Sequence, residues 1–266
     1  MVKIYLCKLT LHDNVFFASR ELGTLYETEK YLHNWALSYA FFKGTLIPHI
    51  YGLAGKPAQK PGYFDAQNEQ NLLHLNAAQI YLFPGLPLQW IYQVNTFKAA
   101  QATYYGRAKQ FGDRGADRNY PINFGRAKEL AVGSTFRTFV IMNEERELPR
   151  WIRLGKWAAK IRVDTIEVPA AAITSQSGSY LCEQPLNPLD LTAEQTLQLY
   201  NRVVMPPTSL VSQAQLTGDY WQLGHSQSDN PAAQAWSQMR QTDPYLPKTL
   251  NLPQGCHYGA EVLNVA

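Results

Sequence analysis

The fourteen residues Trp151 to Asp164 read WIRLGKWAAKIRVD and carry the clearest structural pattern of the 266-residue chain. Gly155 and Lys156 lie between two short alternating runs, and a glycine at the first position of a two-residue loop is typical of a type II′ hairpin turn. After the turn, apolar residues alternate with charged ones, with Trp157, Ala159, Ile161 and Val163 against Lys160, Arg162 and Asp164. The pattern predicts a β-hairpin with an apolar underside, a cationic upper face that includes Arg153, and Lys156 at its tip.

This hairpin lies within a strongly basic part of the chain. Residues 98–162 contain 14 basic and 6 acidic side chains, a net charge of +8, although the whole chain carries only +3. A cationic field concentrated on one surface favours a polyanionic partner. The charge therefore indicates a nucleic acid as the partner, and a solvated face on an ordinary hairpin is the alternative.

The N-terminal region predicts a strand followed by a helix. Lys3 to His12 is apolar on both faces, as in a central strand with cover on both sides. Thr24 and Glu27 have the spacing of a capping box, so a helix is expected to begin there and to end at Lys43-Gly44. The outer face of this helix and a nearby arginine form a candidate surface for a partner or a nucleic acid, comprising Arg20, Lys30, His33 and Asn34.

From Gly106 to Lys128 the sequence is basic, aromatic and glycine-rich and has no apolar period, which predicts a long excursion from the core. Unpaired bases stack on aromatic rings, and basic side chains contact phosphates. The stacking candidates are Tyr104, Tyr105, Phe111, Tyr120 and Phe124, and the phosphate candidates are Arg107, Lys109, Arg114, Arg118 and Arg126. Arg137, on a strand predicted from Ser134 to Met142, is a further RNA-binding candidate. The alternative is that the rings pack the excursion against the body of the protein.

The C-terminal third has weaker signals. Ala170 to Leu189 is predicted to be mostly loop, and Thr192 with Gln195 forms a second capping box. A helix is expected after it, ending before Pro206-Pro207. The last 50 residues are polar and proline-punctuated and show no periodicity.

Several classes of protein are disfavoured by the sequence. No apolar run approaches the roughly 20 residues of a membrane helix, and the N-terminus lacks the features of a signal peptide. Cys7, Cys182 and Cys256 are far apart, which disfavours a disulfide framework and a zinc site, so a cytoplasmic protein without metal or cofactor is expected. Phosphate-loop, dinucleotide-binding and hydrolase motifs are absent from the sequence.

Two segments resemble a known family: LTLHDNVFFASRE at residues 9–21 and LYETEKYLHNWAL at residues 25–37. They are similar to the opening of the Cas-five-type subunit of type I-D CRISPR effector complexes, a member of the RAMP superfamily. The resemblance implies an α+β fold with an RRM-like, ferredoxin-like antiparallel sheet and helices on one face. Residues 1–169 would form this core, with a basic thumb insertion at about 98–130, and residues 170–266 would form an irregular C-terminal extension packed on the core or on partners.

The resemblance also implies a function. Such subunits cap the 5′ handle of the guide RNA without catalysing a reaction, and dock the large subunit beside the adjacent motif of the target DNA. The superfamily's RNA-contacting glycine-rich loop maps to residues 154–157, where this chain has one glycine, and Ala158 and Ala159 stand where further glycines are expected. Side chains rather than backbone amides would then hold the RNA, namely Arg153, Lys156, Trp157, Lys160 and Arg162. The implied partners are the guide RNA, the backbone and large subunits, and target double-stranded DNA.

Two alternatives remain at the level of sequence. The first is a metal-independent endoribonuclease that processes precursor guide RNA, for which Lys30, Tyr31 and His33 are the only closely spaced candidates. The second is a DNA-binding subunit whose basic region mainly contacts the target duplex. Cleavage of a repeat RNA would favour the first, and binding that depends on duplex sequence would favour the second.

Overall fold

The computed structural model describes residues 2–48, 62–98, 124–224, 234, 236–238 and 250–260. These ranges are mostly antiparallel β-sheet, and their helices include α1 (Asn34–Phe42) and α2 (Leu73–Ala77), so the fold class is α+β. The strands are β1 (Lys3–Leu11), β2 (Arg20–Leu22), β3 (Leu25–Glu27), β4 (Ile80–Leu82), β5 (Leu86–Gln89), β6 (Tyr92–Lys98), β7 (Phe124–Leu130), β8 (Thr135–Met142), β9 (Trp151–Leu154), β10 (Ala159–Glu167), β11 (Ile173–Cys182), β12 (Thr196–Val203), β13 (Leu210–Leu223) and β14 (Leu250–Pro253).

The first sheet has the strand order β4-β8-β1-β10-β9, and β5 also pairs with β8. The first strand is central, as predicted, because Leu9 pairs with Val163 on one side and with Phe136 on the other. All three side chains are buried. A strand that is paired on both sides and covered on both faces has a nearly continuous apolar sequence. The apolar sequence of β1 was therefore sufficient to predict its central position.

Helix α1 ends where the sequence predicts but begins ten residues later. The prediction of a start at Thr24 was wrong, because Leu25–Glu27 forms β3, which pairs with β2 and, in parallel, with β7. His33 is the observed N-cap, and its side chain accepts a hydrogen bond from the Trp35 N–H. Gly44 follows the helix with a φ of 88°, a conformation that favours glycine.

A buried carboxylate joins α1 to the C-terminal part of the chain. Asp190 is fully buried and accepts hydrogen bonds from the Asn34 amide at 2.7 Å, the Trp35 indole, the Tyr81 hydroxyl and the Gly259 N–H at 2.9 Å. Burial raises the pKa of Asp190 from 3.8 to about 6, and these donors oppose the rise. The donors come from elements that are distant in the chain and all bind the same carboxylate. The network therefore holds α1 against the segment that follows residue 170.

A second sheet, with strand order β2-β3-β7-β6, lies at the base of the predicted thumb. The ladder of β6 and β7 runs from Tyr92 opposite Leu130 to Lys98 opposite Phe124. The predicted excursion was therefore wrong for Phe124–Lys128, which belong to a paired strand. Residues 99–123 connect the end of this ladder and lie outside the described residues, so the thumb itself stays a prediction.

The C-terminal part is a third sheet, with strand order β11-β13-β12 and β14 paired to β13. The predictions of an irregular extension, of a loop from Ala170 to Leu189 and of a helix after Thr192 were therefore wrong. Gln195 does not cap a helix, because its buried side chain accepts from the Tyr180 hydroxyl and donates to the Asp219 carbonyl. Buried residues of this sheet and of the first sheet belong to one continuous core.

No helix within the described ranges is long and apolar enough to cross a membrane.

Candidate nucleic-acid interface

The predicted hairpin is formed by β9 and β10. Lys160 pairs with Arg153, and the last pair before the tip joins Ala159 to Leu154, so the loop has four residues, 155–158. The prediction of a two-residue turn was wrong, because the tip folds over the segment after β1. Gly155 adopts a φ of 80° there, and the Lys156 N–H donates to the Phe16 carbonyl at 2.9 Å.

The predicted alternation of the two strands was correct. Ile152, Leu154, Ala159, Ile161 and Val163 are buried, and Arg153, Lys160 and Arg162 are exposed. Cross-strand pairs share a face of the sheet, and β1 places Thr10 opposite Arg162 and Lys8 opposite Asp164. We define the hairpin face as the four exposed cations on this side of the sheet: Lys8, Arg153, Lys160 and Arg162.

Two carboxylates lie among these cations without neutralising the face. Asp164 is 2.8 Å from the Arg162 guanidinium, and Asp13 is 3.7 Å from the Arg153 guanidinium. Ion pairs between exposed side chains contribute about 0–1 kcal/mol, so both guanidinium groups can exchange their partners at little cost. Four cations and two carboxylates leave the face with a positive field.

Aromatic rings accompany the cations on this hairpin. The Lys160 ammonium lies 4.1 Å from the centre of the Trp151 ring, and the His12 and Trp151 rings form a T-shaped pair with their centres 5.0 Å apart. Trp157 was predicted on the apolar underside, and this was wrong because Trp157 belongs to the tip loop. Its ring stacks on Phe16 at 4.6 Å with 29° between the planes, and the side chain is 51% exposed.

The structure argues against Arg137 as an RNA-binding residue. This side chain is buried, with its guanidinium over the Phe139 ring and its Nε 3.5 Å from the Gln184 Oε1. Gln184 also donates to the Pro84 carbonyl at 2.6 Å. The segment that follows β11 therefore covers Arg137 and removes it from the surface.

The candidate surface on the first helix is not formed as predicted. Arg20 is exposed and pairs with Glu29 at 2.5 Å, and the Lys30 ammonium lies 5.0 Å from the centre of the Trp90 ring. His33 and Asn34 are buried instead of solvated. Their burial follows from the late helix start, which turns both side chains toward the C-terminal part of the chain.

His33 is also unsuited to acid–base chemistry. Its Nδ1 accepts from the Trp35 N–H, so Nε2 carries the hydrogen and contacts the Thr208 hydroxyl at 3.0 Å. Burial lowers the pKa of His33 from 6.5 to about 3. The pair of Lys30 and His33 therefore does not form the exposed general acid and base that an RNA-cleaving site requires.

The remaining candidates belong to the thumb. Arg126 is exposed on β7, and Phe124 begins that strand. Outside the described residues lie Tyr104, Tyr105, Arg107, Lys109, Phe111, Arg114, Arg118 and Tyr120.

Sequence reasoning missed three residues of the site. Lys8 extends the hairpin face onto β1, and its signal was a charge in the middle of a mostly apolar strand. Asp13 was interpreted only as a turn residue, yet its carboxylate accepts from the Lys160 N–H at 2.9 Å. Phe16, which supports Trp157, carries no sequence signal because the contact joins segments about 140 residues apart.

A metal centre is not evident in the part of the chain that the structure describes, where no three His, Cys, Asp or Glu side chains are grouped as ligands. The chemistry available at the hairpin is thus cationic and aromatic.

Comparisons with known proteins identify the family. The model of the type I-D CRISPR-associated protein Cas5/Csc1 family matches residues 2–261. No curated protein matches the chain. A solved structure, the crystal structure of a CRISPR protein from Archaeoglobus fulgidus, is 12% identical and aligns over 83% of this chain and 95% of its own, with a TM-score of 0.38. Because the family match spans nearly the whole chain, the protein belongs to the type I-D CRISPR-associated Cas5/Csc1 family.

Proposed function

We propose that this chain is a non-catalytic RNA-binding subunit of a type I-D CRISPR effector complex, where it caps the 5′ handle of the guide RNA. It would also help to dock the large subunit beside the adjacent motif of the target DNA. The observation that carries the proposal is the hairpin face, on which four cations lie on adjacent strands of one sheet. Membership of the Cas5/Csc1 family supports the same role.

The spacing of the face suits a phosphate backbone. Arg153 and Lys160 are a direct cross-strand pair, and Arg162 and Lys8 lie further along adjoining strands. Directly opposed residues of antiparallel strands are about 5 Å apart, and alternate residues of one strand are about 7 Å apart. Both spacings are close to the separation of neighbouring phosphates in an extended single strand. Lys156 at the tip would add a further contact.

We also propose that the core is RRM-like, as the sequence resemblance implies. In the first sheet β1 and β4 flank α1 along the chain and are separated by β8, which is antiparallel to both. This split β-α-β arrangement is typical of ferredoxin-like folds. Residues 143–150 contain no helix, and β9 follows them, so the second helix of such a fold would be missing here.

The thumb would complete the guide-binding surface. Arg126 on β7 is exposed, and residues 99–123 connect β6 to β7. In this proposal the basic residues of the thumb contact the guide and the neighbouring backbone subunit.

The experiment measures binding of the purified chain to a repeat-derived RNA with an intact handle and to a scrambled control, over a salt series, with a gel to detect cleavage. The test variant is Arg153→Ala with Lys156→Ala. The matched control is Lys43→Ala with Arg202→Ala, which removes two exposed charges that do not belong to the hairpin face. We expect the test variant alone to lower the salt slope by about 1.4, since each phosphate contact on a single strand contributes about 0.7.

Each other outcome points to a different function. Unchanged binding by the test variant would show that the hairpin does not hold the handle. Site-specific cleavage would favour the endoribonuclease, although His33 is buried. Binding that depends on the sequence of a DNA duplex rather than on the handle would favour the DNA-binding alternative.

A further inference from the structure

The tip of the hairpin holds an exposed tryptophan in a fixed position. Trp157 stacks on Phe16 at 4.6 Å, and Phe16 is itself buried. An aromatic pair with this separation and tilt is favourable in addition to the area that it buries. The indole is therefore held by a rigid ring beneath it, although half of its surface meets solvent.

The backbone around Trp157 is fixed as well. The Lys156 N–H donates to the Phe16 carbonyl, and the Ala158 N–H donates to the Gly155 carbonyl at 3.1 Å. A Cβ on Gly155 would lie 2.8 Å from the Phe16 carbonyl oxygen, so the loop and the segment after β1 are in close contact. The tip is therefore a preorganised structure, and little conformational entropy remains to be lost when a ligand binds.

Among the described residues, Trp157 has a ring contact on one face and is 51% exposed. Phe16 covers that face, and among the residues that the structure describes no second ring and no cation lies over the indole. Trp151 differs, because the Lys160 ammonium covers it at 4.1 Å. The two exposed tryptophans of the hairpin therefore differ, because a cation of the described chain covers Trp151 and none covers Trp157.

Two cations contact or belong to the residues that directly flank Trp157 in the chain. Lys156 precedes Trp157 and is exposed, and the Arg153 guanidinium donates to the carbonyl of Ala158 at 3.1 Å. A nucleotide stacked on the indole would place its flanking phosphates near these charges. A flat aromatic surface beside cations suits a nucleobase better than an aliphatic side chain of a protein partner.

We propose that the face of Trp157 opposite Phe16 stacks one unpaired nucleobase of the bound RNA, with Phe16 as the support beneath it. This inference rests on the proposed function, and it adds a base-stacking site to the phosphate contacts of the hairpin face. Stacking on a side chain requires an unpaired base. Any of the four bases can stack, because every base has an aromatic face. The tip then selects single-stranded RNA and positions one nucleotide of it.

The experiment uses the full chain and a set of handle RNAs in which one nucleotide at a time is abasic, so the number of phosphates stays constant. For the wild-type protein we expect one position at which removal of the base weakens binding by about 5- to 150-fold. Trp157→Leu should abolish that loss, and Trp157→Phe should retain most of it. Trp90→Leu, which removes a half-exposed tryptophan from another part of the surface, should leave it unchanged.

The outcomes separate this inference from the proposed function. If the wild type and Trp157→Leu respond equally to base removal at every position, the inference is overturned. Handle-dependent, salt-sensitive binding would still support the proposed function in that case. If the wild type binds none of the RNAs, both are overturned. Denaturant unfolding of each variant shows whether the fold is retained.

Discussion

The carboxylate of Asp13 accepts a hydrogen bond from the backbone N–H of Lys160 at 2.9 Å, and so fastens the turn after β1 to the cationic strand of the hairpin. The same oxygen lies 3.7 Å from the Arg153 guanidinium. A single acidic residue thus orders the hairpin and weakens its positive field.

The two roles of Asp13 can be separated by substitution. Asp13→Asn keeps an oxygen for the Lys160 N–H and removes the charge, so RNA affinity should rise several-fold with little change in stability. Asp13→Ala also removes the acceptor and should cost about 1 kcal/mol of unfolding free energy. Binding titrations and denaturant unfolding measure the two effects. Weaker RNA binding by Asp13→Asn would contradict this interpretation.

Gly155 is expected to tolerate no side chain. Its φ is 80°, and an added Cβ would meet the Phe16 carbonyl oxygen at 2.8 Å. Gly155→Ala should therefore lower the unfolding free energy by about 2 kcal/mol or more, because backbone strain and a steric clash add together. The measurement is denaturant unfolding.

Gly133 provides the matched control. It has a similar φ of 84°, but an added Cβ would meet no atom within 4 Å. Gly133→Ala should cost only the strain, about 1 kcal/mol. Equal losses for the two variants would show that the contact between the tip and Phe16 contributes nothing.

Asp190 is expected to make stability fall as pH rises through the weakly acidic range. The pKa of its buried carboxyl is about 6 in the folded chain, against an ordinary 3.8. The folded state therefore holds the proton more tightly, and this contribution is complete below pH 3.8 and is lost as pH approaches 6. A shift of this size corresponds to about 3 kcal/mol.

The test compares the wild type with Asp190→Asn by denaturant unfolding between pH 4 and pH 6.5. The stability advantage of the wild type over the variant should shrink as pH rises across this interval. Glu183→Gln, which neutralises an exposed carboxyl on the same segment, is the control. A constant difference between wild type and Asp190→Asn would contradict the raised pKa.

His33 is expected to act in the opposite direction. Its pKa falls from 6.5 to about 3 on burial, so its contribution to stability is present above pH 6.5 and is lost as pH falls toward 3. His33→Asn retains a side-chain oxygen that can cap α1. The difference in unfolding free energy between wild type and this variant should decrease as pH falls from 7 to 5. An unchanged difference would indicate that the unfolded chain gains no proton at this position.

The sequence by itself determined the elements whose signals are local. Alternation in Trp151–Asp164 was sufficient to predict which side chains of β9 and β10 are buried and which are exposed, because strand geometry places successive residues on opposite faces. The apolar run of β1 was sufficient to predict a central strand. The resemblance of residues 9–21 and 25–37 to the type I-D family was confirmed by the match over residues 2–261.

The tertiary structure alone decided the features that depend on distant pairing. Thr24 and Glu27 match a capping box, but β7, about 100 residues later, pairs with this segment and makes it a strand. The C-terminal sheet replaces a predicted loop and helix for the same reason, since β13 pairs with both β11 and β12. Burial of His33, Asn34 and Arg137 follows from contacts with Thr208, Asp190 and Gln184, which lie in the connections between the C-terminal strands and are distant in the chain. Local propensities contribute a few tenths of a kcal/mol per residue, and burial of an apolar side chain contributes about 1.5–3 kcal/mol, so long-range packing prevails where the two conflict.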